Sequence, residues 1–571
     1  MRPVALVLAL LLGGCSFFPR PEAPVAPVVA ETPRSPGMVS AANPLAVEAG
    51  LRVLREGGTA ADAAVAVQAV LGLVEPQSSG LGGGAFMIYF DARTGEVTAY
   101  DGREAAPAGA TPDMFMGPGG KPLGYVEAIL SGRATGVPGA VAMLGEVQKT
   151  HGKRPWASLF TEAERLANEG FIVTPRLAGM IASPRVPQNA APDVIAYFTK
   201  PDGTRYVAGD RLINTAYGKT LRMLAEGGAD ALYEGPLAEA ITARAQQAPL
   251  PGTLAVADLD RYRPRSAPAL CRPYRVYRVC TAPPPSSGVA LLQGLMMLER
   301  TDIADRSPAD PVAWVRLAEV ERLMYADRDR YVGDEPFAQT PVEGLLDPAY
   351  VAARAALVRD RAGPAPMPGT PAGAGIRAPD RTLEPAGTSH FVIVDRWGNA
   401  VSMTTTVEAV FGSGRMVGGF FLNNQLTDFS FSPVEADGVP AANAVAPGKR
   451  PRSSMAPLIV LDRDGRLVAA LGSPGGTAIL SYNLKAMVGV FDWELPLQDA
   501  FNLPNLVARG DRFSSEAERY PEGVVEALKA RGITFGPGGE NSGLHGVIIR
   551  PGGVLEGAAD DRREGVAKAA E

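Results

Sequence analysis

Histidine and cysteine are both scarce in this 571-residue chain, with three of each: His151, His390, His545, and Cys15, Cys271, Cys280. A zinc finger, a cysteine-rich scaffold or a histidine-rich metal site is hard to build from so few ligands. A hydrolase on this chain has very few candidates for a histidine base. Positive charge is not in excess either. The formal net charge is -6, so no global basic field attracts nucleic acid. Beyond the first residues no apolar run reaches the ~20 residues of a membrane-spanning helix. What is present in quantity is Gly (65) and Pro (51), which predicts many turns. Their share stays below the roughly 25–30% of a low-complexity chain. With 46% hydrophobic and 20% charged residues, the chain can bury a sizeable core. Its length suits three to four domains or one large composite.

The chain starts as an export signal. Arg2 precedes an apolar run from Val4 to Leu12, followed by Gly13, Gly14 and Cys15, the layout of a secretory signal peptide. Leu12-Gly13-Gly14-Cys15 resembles a bacterial lipobox, in which Cys15 becomes the acylated N-terminus; a plain signal peptide with an incidental cysteine is the alternative. Several acyl chains on one residue anchor a protein stably. Residues 16–36 are Pro-rich and read as an extended tether. The body is then held in the bacterial periplasm or cell envelope by lipid alone, with Ser16 pointing to the outer membrane.

Asn43-Pro44 reads as the cap and first residue of a helix running to about Glu56, and Thr59 caps a second, Ala/Val-rich and therefore buried helix to about Val74. AFMIYF and EVTAYD predict a hairpin. Residues 140–360 read as mostly helical, with YRVYRV at 274–279 as a strand. The composition shifts at 361–387, where large apolar residues nearly vanish, as in a mobile linker. Two further hairpins follow, SHFVIVD with AVSMTTT and LIVL with RLVAAL. The loop Gly472-Ser473-Pro474-Gly475-Gly476 then leads to a helix from Thr477 to about Phe491. The pattern fits layered helices and antiparallel hairpins.

Thr388 stands where the linker meets the first strand of this second part. A Thr hydroxyl needs a nearby base to act as a nucleophile. A cut between Gly387 and Thr388 frees an α-amine, and such amines titrate near ~7.7–8. One residue then supplies nucleophile and base, and no His is needed. An unremarkable β-branched strand residue is the other reading. Gly475-Gly476 before a helix can present N–H groups to an oxyanion, or be a turn. Arg103 can clamp a carboxylate or pair with a surface acid. His390 shares a strand face with Thr388; His151 and His545 read as loop residues. If Cys271 and Cys280 lay on one extended strand they would be about 30 Å apart, so a disulfide needs a reversal near Arg272-Pro273. Both states remain open.

Taken together, the motifs resemble the gamma-glutamyltransferase family of N-terminal nucleophile (Ntn) hydrolases. They are GMVSAANPLAVEAG, GGTAADAAVAV, LGGGAFMIYF, YDGREAAP, TAPPPSSG, YADRDRYVGD, GTSHFVIVD, FLNNQLTDFSF, GKRPRSSMAP and GSPGG, in order over residues 37–571. The resemblance implies an α+β fold, a four-layer αββα sandwich made from two chains after self-cleavage between Gly387 and Thr388. Residues 37–387 form the large subunit and 388–571 the small, paired as a heterodimer. The implied reaction moves a gamma-glutamyl group from a glutathione-like substrate to water, an amino acid or a peptide. In this reading Thr388 is the nucleophile, Thr406 its hydrogen-bond partner, and Gly475 and Gly476 the oxyanion donors. Arg103, Ser453 and Ser454 hold the glutamyl α-carboxylate. Gln425 and Asp428 lie near its α-amine.

Two features depart from the usual pattern. Glu408 stands where many members carry Asn, and a carboxylate there still suits a substrate ammonium. Residues 430–447 form a short segment where many members have a longer lid, which leaves the balance of hydrolysis and transfer open. The competing readings are a related acylase (cephalosporin acylase-like) for glutaryl or bulky amides and a non-catalytic binding lipoprotein. Nothing in the sequence signals a metal or an organic cofactor.

Overall fold

Strand alternation organises the molecule. In the strand Gly387–Val394, Phe391 and Ile393 join the core beneath the helices Pro44–Arg55 and Ala60–Val74, whereas Val392 and Val394 enter a separate core with Ile459, Ala470 and Val547. Neighbouring side chains on a strand point to opposite faces, so this strand has a helical layer on one side and a second sheet on the other. The computed structural model describes residues 36–571 except 381, 383, 386, 435–437 and 537–540. Cys15, the signal segment and nearly all of the 16–36 tether lie outside the described residues.

The first sheet has seven strands in the order Val566–Ala569, Met38–Ala41, Gly387–Val394, Ala400–Glu408, Gly84–Phe90, Val97–Gly102 and Arg265–Pro268. The second has six: Val554–Ala559, His545–Arg550, Leu467–Gly472, Leu458–Leu461, Tyr277–Thr281 and Leu270–Tyr274. The helices Gly288–Leu298, Pro311–Tyr331 and Ile479–Phe491 share a core with the outer face of the second sheet through Leu291, Trp314, Leu458 and Leu484. The result is the four-layer αββα sandwich that the resemblance implies. Ser402, on the face between the sheets, donates to the carbonyl of Leu471 across the gap at 3.1 Å.

Local chemistry sets the helices of the first layer. Asn43 accepts from the N–H of Leu45. Thr59 and Asp62 form a reciprocal capping box, a device in which replacing the capping Thr by Ala costs about 1 kcal/mol. Every residue of Ala60–Val74 is buried, as its apolar girth predicts.

Three expectations are corrected. YRVYRV is not one strand: the chain reverses at Arg275-Val276, with Arg275 at φ 55°, which sets Cys271 opposite Cys280 in a disulfide. The reversal falls three residues beyond the expected position, at residues with no Gly, Asn or Asp to announce it. His151 is the last residue of the helix Ala140–His151 and stacks on Tyr89 at 3.9 Å. His545 begins a fully buried strand segment. The 361–387 stretch, expected to be a mobile linker, touches the body at several points in the uncut chain. The N–H groups of Ala362, Gly369 and Asp380 donate to Arg531 O, Asp327 Oδ1 and Asp329 O, each at 2.8 Å. Its few apolar residues predicted a loose linker, and these three N–H groups have partners on the body.

Gly83 is where this packing meets the expected cleavage site. A Cβ there would lie 1.9 Å from the carbonyl oxygen of Thr406. Gly83→Ala is therefore expected to displace Thr406 and slow self-cleavage at least ~10-fold, because packed backbone cannot absorb such an overlap. A denaturing gel reads the outcome; cleavage at the wild-type rate would show that the close approach is not required.

Candidate active site

Thr388 lies at the start of its strand with 2% of its surface exposed and is paired directly with Thr406. Its hydroxyl is 3.2 Å from that of Thr406, which also lies 2.8 Å from the carbonyl oxygen of Gly387 and 2.8 Å from the N–H of Glu408. A hydroxyl carries one proton and two lone pairs. Thr406 therefore donates to the Gly387 carbonyl and accepts from Glu408 N–H and Thr388 O–H. The carbonyl before the nucleophile is polarised, and the Thr388 oxygen keeps its lone pairs for attack.

A β-bulge separates Thr406 from Glu408, and Glu408 adopts φ 81°. Positive φ is uncommon outside glycine, and bulges re-aim side chains beside active sites. Here the bulge turns the Glu408 carboxylate toward Gln425, whose amide nitrogen donates both to Glu408 and, at 2.7 Å, to Asp428. Glu408 Oε1, Gln425 Oε1 and Asp428 Oδ1 are buried without hydrogen-bond partners. Burial, then the neighbouring Asp428, pushes the Glu408 carboxyl well above its usual range. Asp428 is raised by burial and opposed by Arg103. In the uncut chain burial thus favours the proton on Glu408, while Arg103 favours the charge on Asp428.

Arg103 is buried and threefold anchored: to Asp428 at 2.5 Å, to Arg452 O at 2.7 Å and to Pro451 O at 3.1 Å. Glu104 lies 3.8 Å from it, and burial raises its carboxyl to about 8. Ser453 Oγ accepts from Met455 N–H. Ser454 Oγ accepts from Arg328 at 2.7 Å, and its N–H donates at 2.7 Å to Glu384.

Arg328 and Glu384 are two site residues that sequence reasoning missed. Arg328 was visible inside YADRDRYVGD, but nothing in the helical pattern assigns it a task. It bonds Ser287 Oγ at 3.0 Å, Ser454 and Glu384, all buried. Arg328 and then Arg452 hold the Glu384 carboxyl down to about 2, against its desolvation, which is the largest single effect. Glu384 comes from the segment before the cut and brings its carboxylate onto Ser454, one of the expected carboxylate-binding groups.

The same segment covers the glycine loop. Gly475 and Gly476 have φ of 140° and 56°, and a Cβ on Gly476 would lie 2.2 Å from the carbonyl of Glu384. Thr477 N–H donates to that carbonyl at 3.1 Å, and Thr477 Oγ1 accepts from Glu384 N–H at 3.0 Å. A short 3-10 turn, Gly476–Ala478, precedes the helix, which begins at Ile479 rather than Thr477. His390 bonds Thr404 at 2.9 Å and packs on Gly472 of the facing sheet; burial, then His545, keeps it neutral. It serves as a spacer between sheets. Among the described residues, no group of three or more His, Cys, Asp or Glu side chains is placed to hold a metal ion.

Comparison with known proteins agrees with this geometry. The sequence model of the family described as Gamma-glutamyltranspeptidase matches residues 46–570. The chain is 37% identical over 550 residues to a glutathione hydrolase proenzyme of Bacillus subtilis, covering 93% of this chain and 91% of that one. It is 34% identical over 587 residues to the glutathione hydrolase proenzyme of Escherichia coli, covering 98% and 97%. The crystal structure of a cephalosporin acylase from Bacillus halodurans superposes with a TM-score of 0.81 at 26% identity, covering 97% of this chain and 99% of that one.

The Glu384–Arg328 pair has a measurable role in the uncut chain. Removing one partner of a buried pair leaves an uncompensated charge, at a cost of about 3–5 kcal/mol. Glu384→Gln in a Thr388→Ala background is expected to lower stability to denaturant by that amount at neutral pH. Because the folded carboxyl is held near 2, its contribution is full above the ordinary ~4.3 and fades as pH falls toward 2. An unchanged unfolding midpoint at pH 7 would contradict the assignment.

Proposed function

Because the chain belongs to the gamma-glutamyltranspeptidase family, we propose that it is a glutathione hydrolase/gamma-glutamyltransferase whose nucleophile is Thr388. The observation that carries this reading is the Thr406 hydroxyl, shared between the Gly387 carbonyl and the Thr388 hydroxyl. Attack of Thr388 Oγ on that carbonyl moves the acyl group from nitrogen to oxygen. Water then hydrolyses the ester, leaving a carboxylate on Gly387 and a free amine on Thr388. The fragments 37–387 and 388–571 remain together as a heterodimer.

In the cut enzyme the Thr388 amine takes the proton of its own hydroxyl as the oxygen attacks the gamma-glutamyl amide. N–H groups of Gly475 and Gly476 receive the oxyanion. The amine leaving group takes the proton back as the C–N bond breaks. The gamma-glutamyl ester then passes to water, giving glutamate, or to the amine of an amino acid or peptide, and Thr388 is restored. Arg103, Ser453 and Ser454 suit the glutamyl α-carboxylate. Asp428, Gln425 and Glu408 suit its ammonium, toward which their unpartnered oxygens are available. For the substrate to occupy the carboxylate position, Glu384 must leave Ser454, which the cut three residues downstream permits. Export and a lipid anchor at Cys15, in the periplasm or outer membrane, complete the proposal and rest on the N-terminal sequence.

The acylase reading draws on the likeness to the cephalosporin acylase and on the short 430–447 segment. Two acids at the ammonium position argue for gamma-glutamyl over glutaryl, which has no ammonium. A charge-assisted hydrogen bond contributes about 1.5–3 kcal/mol. Gamma-glutamyl anilide is therefore expected to turn over at least ~10-fold faster than glutaryl anilide by kcat/KM, with a denaturing gel showing two fragments, the smaller starting at Thr388. Preference for the glutaryl substrate would favour the acylase. A single inactive full-length band would favour a binding protein.

A further inference from the structure

The nucleophile is held from behind by a cation that the reaction scheme does not use. Arg563 donates to the carbonyl oxygen of Thr388 at 2.9 Å and is itself fixed on the carbonyls of Ser542 and Asn541, both at 3.1 Å. It is buried at 8% exposure. Thr388 and Arg563 both belong to the fragment 388–571, and the contacted carbonyl lies on the far side of Thr388 from the bond that is cut. The contact therefore needs no rearrangement when Gly387 departs.

We propose that Arg563 is a positioning residue for Thr388, holding its carbonyl and keeping its freed α-amine in the basic form at neutral pH. The inference rests on the reading that Thr388 becomes N-terminal. Covalent geometry places the amine of Thr388 about 5 Å from a guanidinium on its own carbonyl. A like charge at ~4–6 Å disfavours the protonated amine. A base must be unprotonated to accept the hydroxyl proton, so this repulsion extends activity to lower pH.

The other charges nearby do not cancel it. Glu75 and Asp560 attract Arg563, while Arg176, paired with Glu75 at 3.2 Å, opposes it. Burial raises the Glu75 carboxyl, which weakens its claim on Arg563. Asp560 is paired with Arg562 at 3.0 Å. Tyr482 also lies near Arg563. On the side of Thr388, Thr406 is uncharged, the Asp428 carboxylate is paired with Arg103 at 2.5 Å, burial and then Asp428 push the Glu408 carboxyl up, burial keeps His390 and His545 neutral, and the carboxylate formed on Gly387 by the cut leaves with its segment. Arg563, pushed down to about 9 chiefly by burial, retains its charge through the neutral range.

The direct test is titration of the wild-type amine. The rate of reductive methylation at the N-terminus of the small fragment is followed against pH by mass spectrometry. The expected midpoint lies about one pH unit below the ordinary ~7.7 of an α-amine; a midpoint at or above the ordinary value overturns the proposal. Fully cut Arg563→Gln is expected to shift the acid limb of kcat/KM upward by about one unit, a loss of ~10-fold at pH 6 that shrinks at pH 9. Arg563→Lys, which keeps the charge, is expected to keep the wild-type limb. Equal loss at every pH, or the same shift in both variants, would reduce Arg563 to packing. If Arg563→Gln is not cut, the wild-type titration and the Lys variant decide. An amine that never appears at Thr388 refutes the nucleophile reading instead.

Discussion

One hydroxyl governs the site. Thr406 stands on the strand beside Thr388 and touches both the nucleophilic oxygen and the carbonyl before it. Its proton can go to only one of them, and the geometry gives it to the carbonyl. Everything nearby keeps that hydroxyl in place: the antiparallel pairing of Thr388 with Thr406, the Glu408 N–H beyond the bulge, and the approach of Gly83 to Thr406's backbone, which a methyl group would block. The four layers matter to function mainly because they hold these two strands in register between a helical layer and the second sheet.

Around that hydroxyl lies an unusual density of buried charge. Arg103, Arg328 and Arg452 face Glu104, Glu384, Glu408 and Asp428, all nearly inaccessible to water. Buried ions are tolerated only when paired and hydrogen-bonded. In the uncut chain the pairing is met partly by Glu384, a residue of the departing segment, and partly by a proton on Glu408. The unpartnered oxygens of Glu408, Gln425 and Asp428 mark where pairing is incomplete. A zwitterionic ligand, with a carboxylate to replace Glu384 and an ammonium to meet the acids, completes the pattern with charges of the right sign in the right halves of the site.

The sequence displayed the framework well, because the framework is made of periodicities. The capped helices after Asn43 and Thr59, the hairpins, and Thr388 at the head of a strand all follow from spacing and capping chemistry. The motifs placed Arg103, Asp428 and the Gly475-Gly476 pair in one family resemblance. Position-specific backbone geometry stayed hidden. The positive φ of Glu408 has no glycine to announce it, and the turn at Arg275-Val276 interrupts an unbroken alternation. Glu384 and Arg563 were hidden for a different reason: each acts across a long sequence separation on a backbone or side-chain partner that only the fold supplies. His545 shows the reverse error, a polar residue that looked like loop and is buried without charge.

The central claim is that the Thr388 hydroxyl carries the gamma-glutamyl group. Brief reaction with a gamma-glutamyl donor, an acid quench and peptide mass mapping measure this directly. The account predicts that the peptide beginning at Thr388, and no other, gains the mass of one glutamyl residue. Turnover with that peptide unmodified under conditions where acylation outruns release, or with the added mass on another residue, would contradict it.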